Sequence, residues 1–339
     1  MAAVGWGVLY AAVQAGWAVT RTGVPWKAHS VYPPAAQLVL AALALAAGAA
    51  AYAARAPRRP GPAARIVLAA TLPVFVLGAV GLPVHFVALV TLTGAESVTG
   101  LAQVLLNTVG AGLLLLVLLA SRRRRRGCCP RCGRRHPGAF DGPLAHPGAS
   151  TAPRRTRLAV YLAACGLLPW AGVKTIWTLG GSALGITAEE WDRAVSPGES
   201  GAAAATAAVG VDVTVLAALV ALFLLLGLLH PWGQVFPRWT LPLAGRRVPR
   251  LLPLLPAWLT GVPLAVYGVV LNAVALLTAV GAIAPADPAP PFTAARQVTW
   301  MVEFGGLAFT GLGTALALAA RSYAARTRPV CATALEPAG

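Results

Sequence analysis

Apolar and polar residues follow one another along this chain in long blocks. Eight apolar tracts cover approximately residues 2–20, 36–54, 66–92, 101–120, 158–179, 205–229, 251–284 and 298–320, and segments rich in Arg, Pro and Gly separate them. A helix of roughly 20 residues crosses the ~30 Å hydrocarbon core of a bilayer. Because lipid offers no hydrogen-bond partner to an open backbone, each tract predicts a helix. The pattern therefore predicts an all-α integral membrane protein with eight transmembrane helices.

Composition agrees with a bilayer as the surrounding solvent. Of the 339 residues, 58% are hydrophobic and 11% are charged, whereas about 25% of the residues in a typical soluble domain are charged. Such a chain has too few charged residues to cover a water-facing surface. No basic segment precedes the first apolar tract, which favours a retained first span over a cleaved signal peptide.

Positive charge is concentrated on one side of the predicted membrane. Of the 27 Lys and Arg residues, 22 lie in residues 55–65, 121–157, 230–250 and 321–339. If the amino terminus is cytoplasmic, all four segments are cytoplasmic, and the positive-inside rule predicts a multi-pass protein of the cell membrane with both termini inside. The arginines would also attract an anionic inner leaflet. Because topology accounts for the net charge of +17 and no nucleic-acid-reading motif is present, no nucleic-acid partner is expected.

Four landmarks recur in the same order in both halves of the chain, which predicts an internal repeat. Trp17 corresponds to Trp177, VLAAL occurs at 39–43 and 215–219, Pro73 and Gly78 correspond to Pro256 and Gly261, and Val98 and Thr99 correspond to Val298 and Thr299. A four-span unit enters and leaves on the same side, so the two copies are expected to be parallel. The predicted segments are a first four-helix repeat (1–120), a basic cytoplasmic connector (121–157), a second four-helix repeat (158–320) and a cytoplasmic tail (321–339).

Ionisable residues lie inside three apolar tracts of the second half. Lys174, Asp212 and Glu303 would each cost about 2.5–3.5 kcal/mol at a helix centre, so they are expected to face the protein interior and one another. Gln14 and Gln103 occupy the positions that align with Lys174 and Glu303. A further polar residue, Asn272 in the seventh tract, is expected to join this group. The group is predicted to lie toward the outer ends of the spans.

Two interpretations of this polar group stay open. In the first, Lys174 neutralises one carboxylate while the other binds a proton or a cation, and the protein transports an ion or small solute, with the repeated Pro and Gly residues as flexible points. In the alternative, charges and amides only hold helices together, and the protein is a non-catalytic membrane scaffold or accessory subunit that recruits a cytoplasmic partner. Transport is the first prediction and the scaffold is the alternative.

The connector contains the sequence GCCPRCG, in which Cys129 and Cys132 have the spacing of a zinc knuckle. A closed zinc site needs four ligands. His136 and His146 are candidates to complete it, and Cys128 is a substitute. A basic connector without metal is the alternative interpretation. The predicted cytoplasmic location disfavours a disulfide.

The remaining cysteines and aromatic residues receive simpler interpretations. Cys165 is expected to be a small buried residue of the fifth span, and Cys331 belongs to the tail. Trp170 and Trp191 are interpreted as anchors at the membrane boundary. No phosphate-binding glycine loop, HExxH helix, Gly-x-Ser-x-Gly elbow or aspartate-rich isoprenoid motif occurs in the chain, so the sequence names no enzyme class.

One inner loop carries a resemblance to other proteins. The sequences WGQVFPRW at 232–239 and AGRRVPR at 244–250 resemble a segment of uncharacterised multi-spanning membrane proteins of high-GC Gram-positive bacteria. The resemblance covers the second half of the chain and implies a membrane protein. It implies no activity.

Overall fold

A computed structural model describes residues 1–27, 30–54, 61–82, 85, 97–129, 132–133, 143–195 and 213–331. The helices are α1 (Ala2–Thr20), α2 (Pro34–Ala53), α3 (Pro62–Gly78), α4 (Val98–Arg125), α5 (Arg154–Ala164), α6 (Leu168–Thr178), α7 (Ala188–Val195), α8 (Val213–Leu229), α9 (Leu251–Ala279) and α10 (Ala295–Arg326). Short strands form antiparallel pairs: β1 (Pro25–Lys27) with β2 (Ser30–Val31), β3 (Leu144–Ala145) with β6 (Val330–Cys331), and β4 (Ser182–Ala183) with β5 (Ile186–Thr187).

Several of these helices have the length and composition of membrane spans. Within the described residues, six segments are long and apolar enough to cross a membrane: α1, α2, α4, the combined segment Arg154–Thr178, α9 and α10. Helices α3 and α8 are also apolar, but each has 17 residues. The mostly helical, membrane-compatible fold predicted from the sequence is therefore confirmed. The count of eight spans and the repeat layout stay predictions.

The chain divides into two compact units. Unit 1 comprises Met1–His85, Ala95–His146 and Pro329–Gly339, and unit 2 comprises Phe86–Gly94 and Pro147–Arg328. Helices α1 to α4 belong to unit 1, and helices α5 to α10 belong to unit 2. The strand β6 at the end of the chain is part of unit 1, although it follows the last helix of unit 2.

Glycine lets helices α1 and α2 of unit 1 cross closely. A Cβ atom at Gly7 would lie 2.7 Å from the carbonyl oxygen of Ala44, and Gly48 faces Gly7 from the other helix. Small residues are the usual means of close helix packing in membranes, where lipid is as apolar as the side chains and van der Waals contact must supply the attraction.

Three aromatic rings fill the interior of unit 1 beside this crossing. Trp6 and Tyr10 of α1 surround Phe75 of α3, with ring centroids 4.8–5.4 Å apart. The two contacts with Phe75 are edge-to-face, the arrangement that aromatic quadrupoles favour. These rings fix α3 against α1.

Unit 2 is built around the antiparallel pair α9 and α10, which meet along a face of glycines. Gly261 and Gly268 of α9 face Gly306 and Gly313 of α10. A Cβ atom at Gly313 would overlap the backbone nitrogen of Ala265, and one at Gly268 would lie 2.7 Å from the carbonyl oxygen of Gly306. The two backbones are therefore in direct contact.

The proline–glycine motif of the second half has a packing role in the structure. Helix α9 runs without interruption from Leu251 to Ala279, with Pro256 and Pro263 inside it. A Cβ atom at Gly261 would lie 2.9 Å from the Cβ of Leu316 on α10. Gly261 is thus needed for the contact between α9 and α10.

A 3₁₀ turn at Cys165–Leu167 separates α5 from α6. Pro169 follows as the second residue of α6, where it lacks an N–H group and its ring would crowd the carbonyl of Cys165 four residues earlier. Gly166 packs against α10, where a Cβ atom would lie 2.5 Å from the carbonyl oxygen of Leu307. Cys165 itself is exposed. Its expected burial is wrong, because Gly166 occupies the contact with α10.

The glycine face makes a testable prediction. Gly313→Ala should lower the free energy of unfolding by about 1–3 kcal/mol, because the added methyl group meets the backbone of α9 and the core cannot relax freely. Gly305→Ala on the same helix is the matched control, since a Cβ atom there meets nothing within 4 Å. Unfolding in mixed micelles measures both variants. Equal stability of the two would contradict the proposed backbone contact.

Candidate functional site

The buried amides of unit 1 form a continuous chain of hydrogen bonds. Gln14 Nε2 donates to Gln103 Oε1, and Gln103 Nε2 donates to the hydroxyl of Tyr10 at 3.0 Å. The Tyr10 hydroxyl donates to Asn107 Oδ1 at 2.9 Å, and Asn107 Nδ2 donates to the carbonyl oxygen of Gly78 at 3.1 Å. All four side chains are almost fully buried. The chain joins α1, α3 and α4, and it brings together the predicted pair Gln14 and Gln103.

Gly78 has a specific place in this chain of hydrogen bonds. It is the last residue of α3, so its carbonyl oxygen is free of an intrahelical partner. The amide of Asn107 lies where a Cβ atom of residue 78 would be, 2.7 Å from the Asn107 Cγ. Glycine at this position therefore makes room for the side chain that satisfies the end of the helix.

A third glutamine, Gln37 on α2, lies apart from that chain. Its Nε2 donates to the carbonyl oxygen of Thr22 at 3.4 Å, and the side chain is 1% exposed. Its Oε1 is buried and has no hydrogen-bond partner in the described part of the structure. The match between VLAAL at 39–43 and at 215–219 predicts that Gln37 corresponds, to within one position, to Asp212, which lies outside the described residues.

Lys174 of α6 is buried among tryptophans in unit 2. Its side chain is 6% exposed, with Nζ 4.3 Å from the ring centroid of Trp191 and 5.5 Å from that of Trp170. An ammonium group over an aromatic face is attracted by the ring quadrupole, and the attraction grows when water is excluded. Asp212, a predicted neighbour of Lys174, lies outside the described residues.

The short helix α7 holds Trp191 over Lys174. Thr187 and Glu190 begin the helix with reciprocal hydrogen bonds: the Thr187 N–H donates to Glu190 Oε2 at 2.8 Å, and the Glu190 N–H donates to Thr187 Oγ1 at 3.2 Å. The Thr187 N–H and the Thr187 hydroxyl, which donates to the same Oε2 at 3.0 Å, hold the pKa of the Glu190 carboxyl below its usual value. The following residue, Trp191, stacks on Trp177 with ring centroids 4.2 Å apart. The predicted boundary anchors Trp170 and Trp191 thus contact the buried lysine.

The other predicted members of the polar group lie along α9 and α10. Glu303 of α10 is half-buried and forms no hydrogen bond or ion pair within the described residues, Lys174 included. Asn272 of α9 donates to Thr310 Oγ1 at 3.2 Å, and its Oδ1 packs against Gly306 without a hydrogen-bond partner in the described part. Asn272 therefore belongs to the contact between the two helices.

The clearest cluster of ligand-type side chains is formed by three cysteines of unit 1. Cys129, Cys132 and Cys331 are almost fully buried, and their Sγ atoms all lie within 4.8 Å of one another. The Sγ atoms of Cys129 and Cys331 are 3.8 Å apart, which is too far for a disulfide. Burial and the neighbouring thiols raise the pKa of Cys331 to about 11. The cluster could hold a metal ion.

Local backbone geometry positions the first two cysteines. Helix α4 ends at Arg125, and Gly127 has a positive φ of 67° that turns the chain away from the helix axis. The N–H of Gly133 donates to the carbonyl oxygen of Cys129 at 2.7 Å, and Gly133 has a φ of 68°. This is the tight turn expected of a Cys-x2-Cys knuckle. It directs two thiols to one side.

The third cysteine was not found by sequence reasoning. Cys331 reaches the knuckle through the pairing of β6 with β3, in which Cys331 is opposite Leu144. The predicted ligand His136 lies outside the described residues. His146 is exposed, and neither it nor Cys128 belongs to the group of close ligand atoms in the described part of the chain.

Comparison with protein-family models, with curated proteins and with solved structures found no match. The resemblance of the 230–250 loop to other bacterial membrane proteins therefore stays a prediction. Evidence for the function therefore comes from the positions of the side chains in this protein.

The amide chain of unit 1 makes a second prediction. In a double-mutant cycle, Gln14→Leu and Gln103→Leu should show a coupling free energy of about 0.6–1.7 kcal/mol, because each single change removes the same hydrogen bond between Gln14 Nε2 and Gln103 Oε1 from an apolar interior. Unfolding in mixed micelles measures the cycle. The control cycle pairs Gln103→Leu with Gln37→Leu, which share no hydrogen bond within the described residues and should be additive. Additivity in both cycles would disprove the direct bond.

Proposed function

We propose that the protein is a multi-pass membrane scaffold or accessory subunit whose cytoplasmic side is organised by a zinc ion at Cys129, Cys132 and Cys331. The observation that carries the proposal is the buried three-cysteine cluster. Structural zinc sites are closed, buried and rich in cysteine, whereas catalytic zinc sites keep an open position for water. The burial and the all-cysteine composition of the cluster match a structural site, which supports a role in holding the protein and its partners in place.

The spacing of the sulfur atoms supports zinc as the ion. Two thiolates bound tetrahedrally at about 2.3 Å from one Zn²⁺ have sulfur atoms about 3.8 Å apart. The Sγ atoms of Cys129 and Cys331 have this separation, 3.8 Å. Tetrahedral zinc takes a fourth ligand, for which His136 is the candidate that the sequence provides. Soft thiolate ligands also disfavour magnesium and calcium, which bind oxygen.

The proposed location of the cluster is the cytoplasm. The cluster follows the arginines 122–126 at the end of α4, and the positive-inside rule puts such segments on the inner side. The cytoplasm keeps thiols reduced, so a metal is a better use of three buried cysteines than a disulfide. The arginines would also contact an anionic inner leaflet.

We further propose eight spans arranged as two parallel four-helix repeats. Each unit supports this layout by a matching local feature. In unit 1 the first apolar helix, α1, is followed by the hairpin β1–β2, and in unit 2 the first apolar segment, α5–α6, is followed by the hairpin β4–β5. The even number of spans then leaves both termini and the connector on the cytoplasmic side.

The intramembrane polar residues of unit 1 favour a scaffold over a carrier. Gln14 and Gln103 are bonded to each other, and the remaining donors reach Tyr10, Asn107 and the backbone of α3. A ligand entering this site would have to replace hydrogen bonds that are already well formed. The amides therefore serve to bind the helices together.

The zinc proposal makes a third prediction. Protein purified from zinc-supplemented cells should contain about one zinc per chain, and the Cys129→Ser/Cys132→Ser variant should contain almost none, because two of the thiolates are lost. Elemental analysis measures both. Cys165→Ser, which removes an exposed cysteine outside the cluster, is the control and should retain the metal. Equal zinc in the wild type and the double variant would rule out the site.

Transport of an ion or small solute is the second candidate function. It is favoured by Glu303, a half-buried carboxyl group in a membrane-compatible helix that lacks a partner within the described residues. Ionisable residues at membrane depth often mark proton or cation pathways. Lys174, which is buried beneath Trp191, would then supply a positive charge inside the same unit.

Reconstitution distinguishes the two functions and makes a fourth prediction. For a scaffold, proteoliposomes with the wild-type protein should conduct protons and sodium no faster than empty vesicles, as followed with ion-sensitive dyes. A transporter should raise the flux, and Glu303→Gln should remove most of that increase while Glu189→Gln, an exposed carboxylate on α7, should not. A flux that depends on Glu303 would replace the scaffold proposal.

A further inference from the structure

Among the described residues of unit 1, the cysteine cluster is separate from the hydrophobic core of the helices. In the described residues, its hydrophobic cluster consists of Cys129, Cys132 and Cys331 alone. Three thiols bury little apolar surface compared with a normal core. Polypeptide segments of this size usually need a metal or a disulfide to fold.

The strands that bring Cys331 to the cluster are also very short. Strands β3 and β6 have two residues each, with Leu144 opposite Cys331 and Ala145 opposite Val330. An isolated pair of strands is marginally stable in water even when it is longer than this. Val330 is buried, but Leu144 is exposed. The two strands therefore bury one large apolar side chain besides the cysteine. The strand pairing cannot hold the end of the chain by itself.

The pairing of β3 with β6 joins two segments that are far apart in the sequence. Strand β3 is the last element before the chain enters unit 2 at Pro147, and β6 is the first element after the chain leaves unit 2 at Arg328. Cys129 and Cys331 are separated by 202 residues. A bond between them closes a loop that contains the segment Pro147–Arg328 of unit 2.

The end of α10 is fixed independently of the cysteines. Arg326 donates to the carbonyl oxygens of Ser150 and Leu228, and Arg250 donates to Thr327 Oγ1 at 3.1 Å and to the carbonyl oxygen of Ala324. All of these residues belong to unit 2. Contacts within unit 2 therefore hold the chain as far as residue 327, and a different interaction must hold Val330 and Cys331.

We infer that the zinc ion is a clamp that fastens the carboxyl-terminal strand β6 to the connector, with Cys331 as the ligand that closes the loop around unit 2. This inference rests on the proposed zinc site and adds a conformational consequence. When zinc is bound, β3 and β6 are paired. When zinc is removed, the pair opens, and the chain beyond residue 328 is released from unit 1 while α10 keeps its contacts in unit 2.

Hydrogen exchange on the full-length protein in nanodiscs tests the clamp. Zinc chelation should accelerate amide exchange in peptides containing residues 144–145 and 330–331 by roughly tenfold or more, because these amides lose their strand partners. Peptides from α10 between residues 306 and 320 should be unaffected. Re-addition of zinc should restore protection, which excludes irreversible misfolding as the cause.

Two single-cysteine variants test whether Cys331 is the ligand that holds β6. Cys331→Ser should show fast exchange at 330–331 even in the presence of zinc, and Cys128→Ser, which removes the neighbouring thiol outside the cluster, should behave like the wild type. If the wild type loses its zinc on chelation and exchange at 330–331 does not change, the clamp is disproved and the zinc site remains. If the wild type carries no zinc, both the clamp and the proposed zinc site are disproved.

Discussion

Burial of polar side chains among apolar helices is the constraint on which both units depend, and the buried Gln14 and Lys174 are each held by side chains of their own unit. An unsatisfied group in hydrocarbon costs several kcal/mol. In unit 1 the solution is a chain of neutral donors and acceptors that runs from Gln14 to the carbonyl oxygen of Gly78. In unit 2 the buried polar residue is a cation, Lys174, with the rings of Trp170 and Trp191 beside it. The two units thus hold their buried polar side chains by different chemistry.

Close approach of backbones is the second requirement, and glycine meets it in both units. Without a hydrophobic drive between helices in lipid, adhesion depends on surface contact. Gly7 brings α1 against α2, and Gly313 brings α10 against α9. The glycines also decide where polar side chains can sit, since Asn107 and Asn272 occupy the space left by Gly78 and Gly306. Packing and hydrogen bonding in this protein therefore depend on the same positions.

Much of the fold could be predicted from the sequence because its signals are local. Apolar length predicts helices, and each of the eight tracts has a helix in the structure, although α3 and α8 are short. The contact between Gln14 and Gln103 could also be expected, because both are amides that are predicted toward the outer ends of their spans. Tyr10 and Asn107 were missed because a single polar residue in an apolar tract does not show which helix it faces. The sequence predicts only a boundary anchor at Trp191. Its contact with Lys174 is not visible in the sequence, because Lys174 lies 17 residues earlier in the chain, on another helix.

The cysteine cluster shows the limit of local spacing most clearly, and also why such a cluster suits this chain. The Cys-x2-Cys knuckle is recognisable because a tight turn fixes it, whereas Cys331 is brought there only by a strand pair formed between distant segments. Bringing together residues 202 positions apart costs about 5 kcal/mol of chain entropy, on the scale used for cross-linked chains. Two paired residues on each strand and three thiols cannot offset that cost through burial. A metal ion can, since structural zinc contributes about 10–16 kcal/mol in small peptide sites. For a connector composed mainly of arginine, proline and glycine, the proposed metal would substitute for a hydrophobic core, and its third cysteine ligand would come from the segment where the chain returns from unit 2.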